Sequence, residues 1–460
     1  MTEPTPQVAL DAKLASYRER GVSRVKLALT DVDGVLRGKY VNLEKFAGLM
    51  EKGGGFCDCV FGWDVDDQLY DAGRFTGWHT GFPDARYRLV TASERWLADE
   101  GCPLFLGEFV GAKDEPHPLC PRTRLGAVLD SLAEQGLYMR SAFEYEFFVF
   151  RETPHSVREK GYRDLTPLTP GNFGYSVLRA SAEADRFNGL LDYCEALDLD
   201  LEGLHCETGP GVWEAAVRVA DGLEAADRAS LFKTFSKVYF QRQECMATFM
   251  AKWSMDYPGQ SGHFHVSLTD AEGHPLFHDA DAAHGMAELQ RRAVAGLQQF
   301  LPELLVLLAP TINSYTRLVK GAWAPTASTW GIENRTAAVR VIPGSANAQR
   351  IECRVGGADA NPYLVAAAVG AAMLAGIEGE YEPMDPVSGN AYDVEDELPE
   401  GLQFPAGLRE AAERFTASGV ARQYLGPEFV DHFAMTRLWE WRERERHLDS
   451  WQLDRYFEII

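Results

Sequence analysis

The segment from Ser141 to Phe150, SAFEYEFFVF, alternates acidic and aromatic side chains with a period of two. Successive side chains of an extended strand point to opposite faces, so this period predicts a β-strand. Glu144 and Glu146 then share one face of the strand, and the aromatic residues beside them share the other. The aromatic face needs a core to pack against. The two carboxylates, about 7 Å apart by the strand repeat, repel each other unless water or a cation separates them.

Length and composition allow such a core. The chain has 460 residues, of which 46% are hydrophobic, and this is typical of a globular protein with two or more domains. The formal net charge of −23 disfavours nucleic acid or an anionic membrane as the main partner. We therefore expect a small ligand, or cations held by carboxylates.

Three features of the sequence favour a cytoplasmic location. The eight cysteines contain no CxxC pair and are expected to be reduced thiols. The first residues, MTEPTPQVALDAK, lack the basic and apolar regions of a secretory signal. The longest apolar segment, Leu364 to Ile377, is too short to span a bilayer and is expected to form a buried helix. We predict a cytoplasmic protein.

The order of predicted elements indicates an α+β fold. Residues Ser23 to Tyr40 predict two strands about a turn, and the three prolines between Ala112 and Pro121 predict a domain boundary. Beyond this boundary, strands alternate with helices without the regular rhythm of a doubly wound sheet. The predicted helices are Arg122 to Gln135, Ser181 to Ala196, Gly222 to Gln243 and Met286 to Leu308, and the predicted long loops are 269–285 and 379–405, the latter a surface excursion.

Four groups of polar residues lie on predicted strands or turns. They are the pair Glu144 and Glu146, the pair Glu207 and Glu214 around the turn TGPG, the pair His263 and His265 in GHFHVS, and the set Arg350, Glu352 and Arg354 in RIECR. Each group alone has a structural alternative: a solvated strand face, a surface hairpin or a ladder of salt bridges. Together they form an oxygen-rich set with a little imidazole, which favours Mg²⁺ or Mn²⁺ over zinc.

Arginines supply the opposite charge within one segment of the chain. They are Arg317, Arg335, Arg340, Arg350 and Arg354. A metal cluster opposed by several guanidinium groups is typical of phosphoryl transfer. The sequence lacks a Walker A motif, a kinase glycine-rich loop and a GxGxxG fingerprint, so a nucleotide would bind in another way.

The order of these segments resembles the glutamine synthetase superfamily, from about Arg24 to Glu458. The matching segments are TDVDG, FEYEF, CETGPGVWE, TFMAK, HFHVSL, NSYTRLVKG, ENRTAAVR, RIECR and ADANPYLVAAA. The resemblance implies a small N-terminal β-grasp domain over 20–112. It also implies a glutamine synthetase-type catalytic domain over 119–460, with a curved, mostly antiparallel sheet and flanking helices. Homo-oligomers are implied as well, in particular dodecamers of two hexameric rings with active sites between subunits.

The resemblance also implies roles for individual residues. Two or three Mg²⁺ or Mn²⁺ ions per site would be held by Glu144, Glu146, Glu207, Glu214, His263 and Glu352. ATP, a co-substrate, would contact Glu207, His265, Ser267, Arg340 and Arg350. Glutamate would contact Gly259, Arg317, Arg335 and Arg354. Arg335 would also stabilise the transferred phosphoryl group, and Asp31 would help to deprotonate the nitrogen nucleophile.

The implied reaction has two steps. ATP phosphorylates the γ-carboxylate of L-glutamate, and a nitrogen nucleophile then displaces phosphate to give an amide. The second step needs an unprotonated amine, and most amines are protonated at pH 7, so a carboxylate base is required.

Two departures from the family pattern lie at the implied ammonium pocket. Trp323 stands where glutamine synthetases carry a glutamate, and the loop around Asp64 lacks the family's serines. Exchange of the glutamate for tryptophan removes a negative charge that would hold ammonium. It also supplies an apolar face that suits the carbon skeleton of an amine. With the segments PTASTWG and RVGGADANPY, this resembles the γ-glutamylpolyamine and γ-glutamylamide synthetase branch. Asp31, Asp64 and Trp323 are the expected amine-pocket residues.

The leading hypothesis is therefore an ATP-dependent ligase that joins L-glutamate to an organic amine, a polyamine or a monoamine. Two alternatives stay open at this point: a glutamine synthetase that uses ammonia, and a non-catalytic ring protein that keeps only the fold.

Overall fold

The computed structural model describes residues 6–459 and combines helices with two β-sheets. Residues 1–5, part of the segment judged to lack a secretory signal, lie outside the described residues. The cysteines are free, in agreement with the expected thiols. Within residues 6–459, no helix has both the length and the apolar character needed to cross a bilayer.

The N-terminal sheet has six strands in the order β2-β1-β6-β4-β3, with β5 beside β6. The strands are β1 (Arg24–Thr30), β2 (Leu36–Asn42), β3 (Gly54–Cys57), β4 (Asp84–Leu89), β5 (Arg95–Leu97) and β6 (Cys102–Phe109), and the helices beside them are α1 (Pro6–Glu19) and α2 (Leu43–Lys52). Strands β1 and β6 are parallel, and the other pairs are antiparallel. The predicted strand–turn–strand of residues 23–40 is confirmed. The assignment as a β-grasp domain stays a prediction.

The larger sheet has nine strands in the order β13-β14-β15-β12-β7-β9-β8, with β10 and β11 also paired to β7. The strands are β7 (Tyr138–Phe150), β8 (Leu201–Cys206), β9 (Val212–Val217), β10 (Ala220–Asp221), β11 (Met246–Thr248), β12 (Gly262–Thr269), β13 (Trp330–Ile332), β14 (Val339–Ile342) and β15 (Arg350–Cys353). Every pair except β13–β14 is antiparallel, as expected for this part of the chain.

Helices pack against the larger sheet and against one another. They are α3 (Pro121–Glu134), α4 (Pro154–Glu159), α5 (Val177–Ala182), α6 (Ala184–Ala196), α7 (Leu223–Gln241), α8 (Glu288–Leu308), α9 (Ile312–Arg317), α10 (Pro362–Glu378), α11 (Leu408–Ala417), α12 (Gly419–Leu425), α13 (Pro427–Glu445) and α14 (Ser450–Tyr456). The predicted helices are confirmed within a few residues, except that the one near Ser181 begins earlier and is split into α5 and α6. Helix α10 is buried on all sides from Pro362 to Gly376, as its apolar sequence predicts.

Strand β7 pairs with four other strands of the larger sheet, and its side chains alternate as the sequence predicts. Phe143, Tyr145 and Phe147 are all buried on one face. There the ring of Phe147 stacks on Phe249 at a centroid distance of 5.2 Å, and Phe143 packs against Phe264 at 4.8 Å. This aromatic anchoring fixes the strand, so that its acidic face points away from the core.

The interpretation of 379–405 as a surface excursion is wrong for the middle of this segment. Ala391 and Glu395 are fully buried there. Residues of this segment hydrogen-bond to the loops on either side of β13, so the segment forms part of the support of those loops.

Candidate active site

The register of the larger sheet places charged residues opposite one another on neighbouring strands. Glu146 on β7 lies directly opposite Glu214 on β9, and Glu144 on β7 lies opposite His263 on β12. Further along the sheet, Glu352 on β15 lies between its neighbours on β12 and β14, His265 and Arg340. Opposed side chains on adjacent strands interact directly. Pairing of strands therefore brings together charges from five separate segments of the chain.

Glu144, His263 and Glu352 form the tightest group. One ligand atom from each residue lies within 4.8 Å of the others. The Nδ1 atom of His263 is 3.6 Å from Glu144 Oε2 and 3.5 Å from Glu352 Oε1. Glu144 Oε2 is also 3.2 Å from Nε2 of His265. These are two carboxylates and an imidazole in an arrangement that fits one cation.

Glu146, Glu207 and Glu214 form a second group around the end of β9. Glu214 Oε1 and Glu207 Oε2 lie 3.5 and 3.7 Å from Nε2 of His205. The backbone N–H of Ser261 donates to Glu146 Oε2 over 2.7 Å. The Oε2 atom of Glu207 and the Nε2 atom of His205 are buried without a hydrogen-bond partner. Buried polar atoms normally have a hydrogen-bond partner or a ligand, and a cation beside Glu207 would fit this requirement.

The crowded carboxylates shift each other's protonation. Burial, followed by the charges of Glu144, Glu146 and Glu207, raises the pKa of Glu214 far above its usual value. Burial acts in the same direction on Glu352, but His263 and the neighbouring arginines outweigh it and lower the pKa of Glu352 to about 2. Crowding of the carboxylates therefore disfavours the charged form of Glu214.

Guanidinium groups face this cluster from β14, β15 and the loops near them. Arg340 Nη1 donates to Glu352 Oε2 over 2.9 Å, and Arg354 Nη1 donates to Glu352 Oε1. Arg317 is buried and donates to the backbone carbonyl of Val355 over 2.8 Å. Arg335 lines the cavity from an exposed position. The arrangement sets cations beside a strongly anionic centre, as phosphoryl and carboxylate substrates require.

Two cavities meet at Glu144. The first, of about 700 Å³, is lined by the predicted residues Glu144, Glu146, Glu207, Glu214, Gly259, His263, Arg317, Trp323, Arg335, Arg340, Glu352 and Arg354. The second, of about 350 Å³, is lined by Glu144 and by three of the residues expected at ATP, His265, Ser267 and Arg350. A side chain at Gly259 would meet Arg317 Cγ at 2.6 Å, so glycine permits this close approach. Most of the predicted site residues are thus brought together.

Asp31 and Asp64 are not brought to these cavities within one chain. Both lie in the N-terminal unit, the part of the chain that carries strands β1 to β6. There Asp31 Oδ2 accepts from Arg37 Nε over 3.0 Å. Arg37 also donates to Asp67 over 2.8 Å and lies over the ring of Trp63. Asp31 therefore belongs to a cluster around Arg37, and Asp64 lies in the neighbouring loop, where its side chain accepts from the backbone of Asp66 and Gln68. Neither residue lines the cavity that contains Trp323.

Tyr175, Glu333 and His205 are among the site residues that sequence reasoning missed. Tyr175 lines the first cavity and stacks on His205 at a centroid distance of 4.6 Å. Glu333 accepts from Arg340 Nε over 3.0 Å. His205 stands two residues before Glu207, so the period-two rule that found Glu144 and Glu146 would have found it. Tyr175 lies in a loop and carries no periodic signal.

The donor set fits divalent cations such as Mg²⁺ or Mn²⁺. Such ions prefer carboxylate oxygens, accept an occasional imidazole and do not need thiolates. The cluster offers five carboxylates and His263, with the unpartnered Oε2 of Glu207 among them. A cation would also offset the repulsion that contributes to the raised pKa of Glu214.

Comparison with known proteins identifies the family of the chain. Residues 118–456 match the family model described as glutamine synthetase, catalytic domain. The chain belongs to the glutamine synthetase family. Its mixed helix and sheet architecture is that of the glutamine synthetase fold, and the family comprises ATP-dependent ligases that use divalent metals, bind glutamate and form oligomers.

Individual members of the glutamine synthetase family match over nearly the whole chain. Type-1 glutamine synthetase 2 of Dictyostelium discoideum is 44% identical over 95% of this chain and 84% of its own length. Glutamate–isopropylamine ligase of a Pseudomonas species is 35% identical over 97% of this chain and 98% of its own. A solved GmaS/ADP complex superimposes with a TM-score of 0.83 at 26% identity, over 96% of this chain and 99% of the other.

Proposed function

We propose that this member of the glutamine synthetase family is a glutamate–amine ligase. It would use ATP to activate the γ-carboxylate of L-glutamate as an acyl phosphate and join it to an organic amine. The observation that carries the proposal is the position of Trp323, which lines the same cavity as the carboxylates and the arginines. The similarity to glutamate–isopropylamine ligase supports the same conclusion.

The residues of the two cavities would bind the metal ions and ATP according to their chemistry. Glu144, His263 and Glu352 would hold one divalent cation, and Glu146, Glu207 and Glu214 another, with room for two or three ions per site. When bound, these ions supply positive charge to the phosphate groups of ATP. His265, Ser267, Arg340 and Arg350, with Glu207, would contact ATP. A bound ADP in the structural relative supports a nucleotide site in this fold.

Glutamate would lie on the arginine side of the first cavity. Arg317, Arg335 and Arg354 supply donors for its carboxylates, and Gly259 keeps the wall beside Arg317 open. Arg335 would then stabilise charge on the phosphoryl group during transfer. Fixed donors at the place where charge develops favour the transition state more than the ground state.

The amine would enter beside Trp323. Its indole offers an apolar face to the carbon skeleton and a cation–π contact, worth about 0.5–2 kcal/mol, to a protonated amine before reaction. No carboxylate stands at residue 323, so this position provides no specific site for ammonium.

Deprotonation of the amine would need the N-terminal unit of a second copy. Asp31 and Asp64 lie apart from Trp323 in one chain, and family members form oligomers. Burial, followed by the charge of Asp33, raises the pKa of Asp31 above that of an ordinary carboxyl group, which makes it a stronger base. We propose a homo-oligomer, in the form of two hexameric rings, in which Asp31 and Asp64 of one subunit complete the amine pocket of the next.

A glutamine synthetase activity is the second candidate. The observation that favours it is the 44% identity to the Dictyostelium protein, whose name is that of a glutamine synthetase. A non-catalytic ring protein is disfavoured because the cluster keeps all six expected metal ligands around one cavity.

Phosphate release separates these candidates. The purified protein with ATP, Mg²⁺ and L-glutamate would be given ammonium, isopropylamine, ethanolamine, phenethylamine, putrescine or spermidine in turn. We expect at least one organic amine to stimulate phosphate release more than ammonium, with the γ-glutamyl amide seen by mass spectrometry. The variant Glu352→Gln, which lacks one carboxylate of the cluster, provides the background. Turnover of ammonium alone would contradict the proposal.

A further inference from the structure

Residues 387–396, which we call the strap, contact two loops that carry cavity residues. The Trp323 loop comprises residues 319–327, and the Arg335 loop comprises residues 333–337. No strap residue lines the first cavity within the described part of the chain. The contacts of the strap with these loops therefore link it to the site, although it does not form the cavity wall.

Contacts between the strap and the Trp323 loop lie on both sides of the tryptophan. The hydroxyl of Tyr392 donates to the backbone carbonyl of Ala324 over 3.1 Å, one residue after Trp323. Glu395 accepts hydrogen bonds from the hydroxyl and the backbone N–H of Thr326. Its Oε2 atom also lies 3.6 Å from Nζ of Lys320. Trp323 itself is 64% exposed, so these contacts rather than packing of the indole hold the loop.

Glu395 is fully buried, so its charge depends on its hydrogen-bond and ion-pair partners for compensation. A buried carboxylate is costly unless it is paired and hydrogen-bonded. The side-chain partners of Glu395 are Lys320 and Thr326, and both belong to the Trp323 loop. If this loop moved away, the carboxylate would lose its compensation, so Glu395 favours one position of the loop.

The same strap holds the Arg335 loop at its other end. The side-chain amide of Asn334 donates to the backbone carbonyls of Val387 and Gly389 over 3.0 and 2.9 Å. The backbone N–H of Ala391 donates to the hydroxyl of Thr336 over 2.9 Å. Residues on both sides of Arg335 are thus tied to the strap.

We propose that Tyr392 and Glu395 are positioning residues that set the Trp323 loop relative to the Arg335 loop, and through it the affinity for the amine. The inference rests on the proposed function in one respect: the amine contacts Trp323. Both residues act through the loop and do not touch the substrates. Their loss weakens amine binding and leaves the ATP cavity, which lies beyond Glu144, intact.

Three variants test the role of the strap. Tyr392→Phe removes one hydroxyl, Glu395→Gln keeps the size of the side chain, and Glu395→Ala removes all its contacts. We expect the KM for the amine to rise about 3- to 10-fold in Tyr392→Phe, which is the loss of about one hydrogen bond. The KM for ATP and kcat should change by less than about twofold, because the cavity beyond Glu144 is untouched. Glu395→Gln should fall between the wild type and Glu395→Ala.

Amide hydrogen exchange measures the opening of the Trp323 loop directly. We expect the amides of residues 319–326 to exchange faster in Tyr392→Phe and Glu395→Gln than in the wild type. Matched controls are Tyr381→Phe and Glu397→Gln, which alter an exposed tyrosine and an exposed glutamate outside the strap. Both controls should leave exchange and KM values unchanged.

Two results would overturn the inference. One is unchanged exchange of residues 319–326 in both strap variants, and the other is a KM for ATP that rises as much as the KM for the amine. If the wild type uses ammonium alone, the proposed function fails. The role of the strap is then tested with the KM for ammonium in place of the KM for the amine. If it uses no nucleophile, exchange alone decides.

Discussion

At the scale of single residues, Trp323 is the side chain on which the choice of nucleophile depends. It occupies a turn with a φ of 58°, a backbone conformation that is strained for a residue with a large side chain. Its indole is exposed at the cavity that holds the carboxylate cluster. A strained, exposed aromatic residue contributes little to the stability of the fold. We therefore expect Trp323 to serve a contact with the substrate.

Exchange of this ring for a carboxylate should redirect the enzyme. We expect Trp323→Glu to lower kcat/KM for the preferred organic amine by about 2- to 30-fold, the equivalent of the lost cation–π and apolar contact. The same change should raise kcat/KM for ammonium, because the carboxylate attracts a small cation. Steady-state phosphate release with each nucleophile measures both effects.

The variant Trp323→Phe is the matched control, since it keeps an aromatic face. It should stay within about threefold of the wild type for the amine, as a weaker but similar cation–π partner. Equal kcat/KM values for the amine in Trp323→Glu and the wild type would show that the indole does not contact it.

Residues with a periodic signal were predictable, and isolated ones were not. Glu144 and Glu146 could be placed on one face because a strand has a fixed period. The position of Glu214 opposite Glu146 could not be derived from the periodicity alone, because the register between β7 and β9 depends on the whole sheet. Tyr175 reaches the site from a loop, where side-chain direction follows no period.

At the scale of elements, the contact between α8 and α10 depends on two glycines. A side chain at Gly376 would meet the Arg292 carbonyl at 2.4 Å and Gly296 Cα at 2.5 Å, and a side chain at Gly296 would meet the Ala372 carbonyl at 2.1 Å. The helix backbones therefore touch. Apolar composition predicted the burial of α10, but this partner lies far away in sequence.

A methyl group at this contact should destabilise the protein. We expect Gly376→Ala to lower the free energy of unfolding by about 1–3 kcal/mol, since overpacking forces the two helices apart. Differential scanning fluorimetry would show a lower melting temperature. Gly48→Ala in α2, where the added carbon meets open space, is the control and should be neutral or slightly stabilising. Equal melting temperatures for both variants would mean that the helices separate without cost.

At the scale of the whole molecule, buried histidines lie where the N-terminal unit meets the C-terminal helices. His117 stacks on Phe61 at 4.9 Å, and His432 on α13 is buried nearby. Burial, with the positive charge of Arg124 beside it, lowers the pKa of His117 to about 4. Burial also lowers the pKa of His432 to about 4, although a backbone hydrogen bond to Phe61 opposes this.

These histidines should make the protein sensitive to acid. An unfolded histidine titrates near pH 6.5, so between about pH 6.5 and 4 the unfolded chain binds more protons than the folded one. The contribution of each histidine to the free energy of unfolding is therefore fully present above pH 6.5. It is lost as the pH falls towards 4, by up to about 3 kcal/mol for each histidine. Melting temperatures measured from pH 7.5 to 4.5 would show this decline.

The double variant His117→Gln, His432→Gln should flatten that decline. The control His447→Gln changes an exposed histidine and should leave the pH dependence as in the wild type. If the double variant lost stability with the same slope as the wild type, the decline would arise from other groups, such as the paired carboxylates.

The order of motifs made the family recognisable from sequence, but the assembly of the site was less predictable. The charged groups come from strands that are up to about 200 residues apart, such as β7 and β15. Only their pairing through β12 brings these groups into contact. The burial of Glu395 within a polar, proline-rich segment was likewise hidden, because it depends on partners in another loop.

The alternation along β7 also has a genetic consequence. Because the side-chain period is two, a single-codon deletion between Ser141 and Glu144 would shift every later residue to the other face of the strand. Glu144 and Glu146 would enter the aromatic core, and Tyr145 and Phe147 would take their places in the cavity. Substitutions in this strand cost one contact each, whereas a change in its length would remove the core and the candidate active site together.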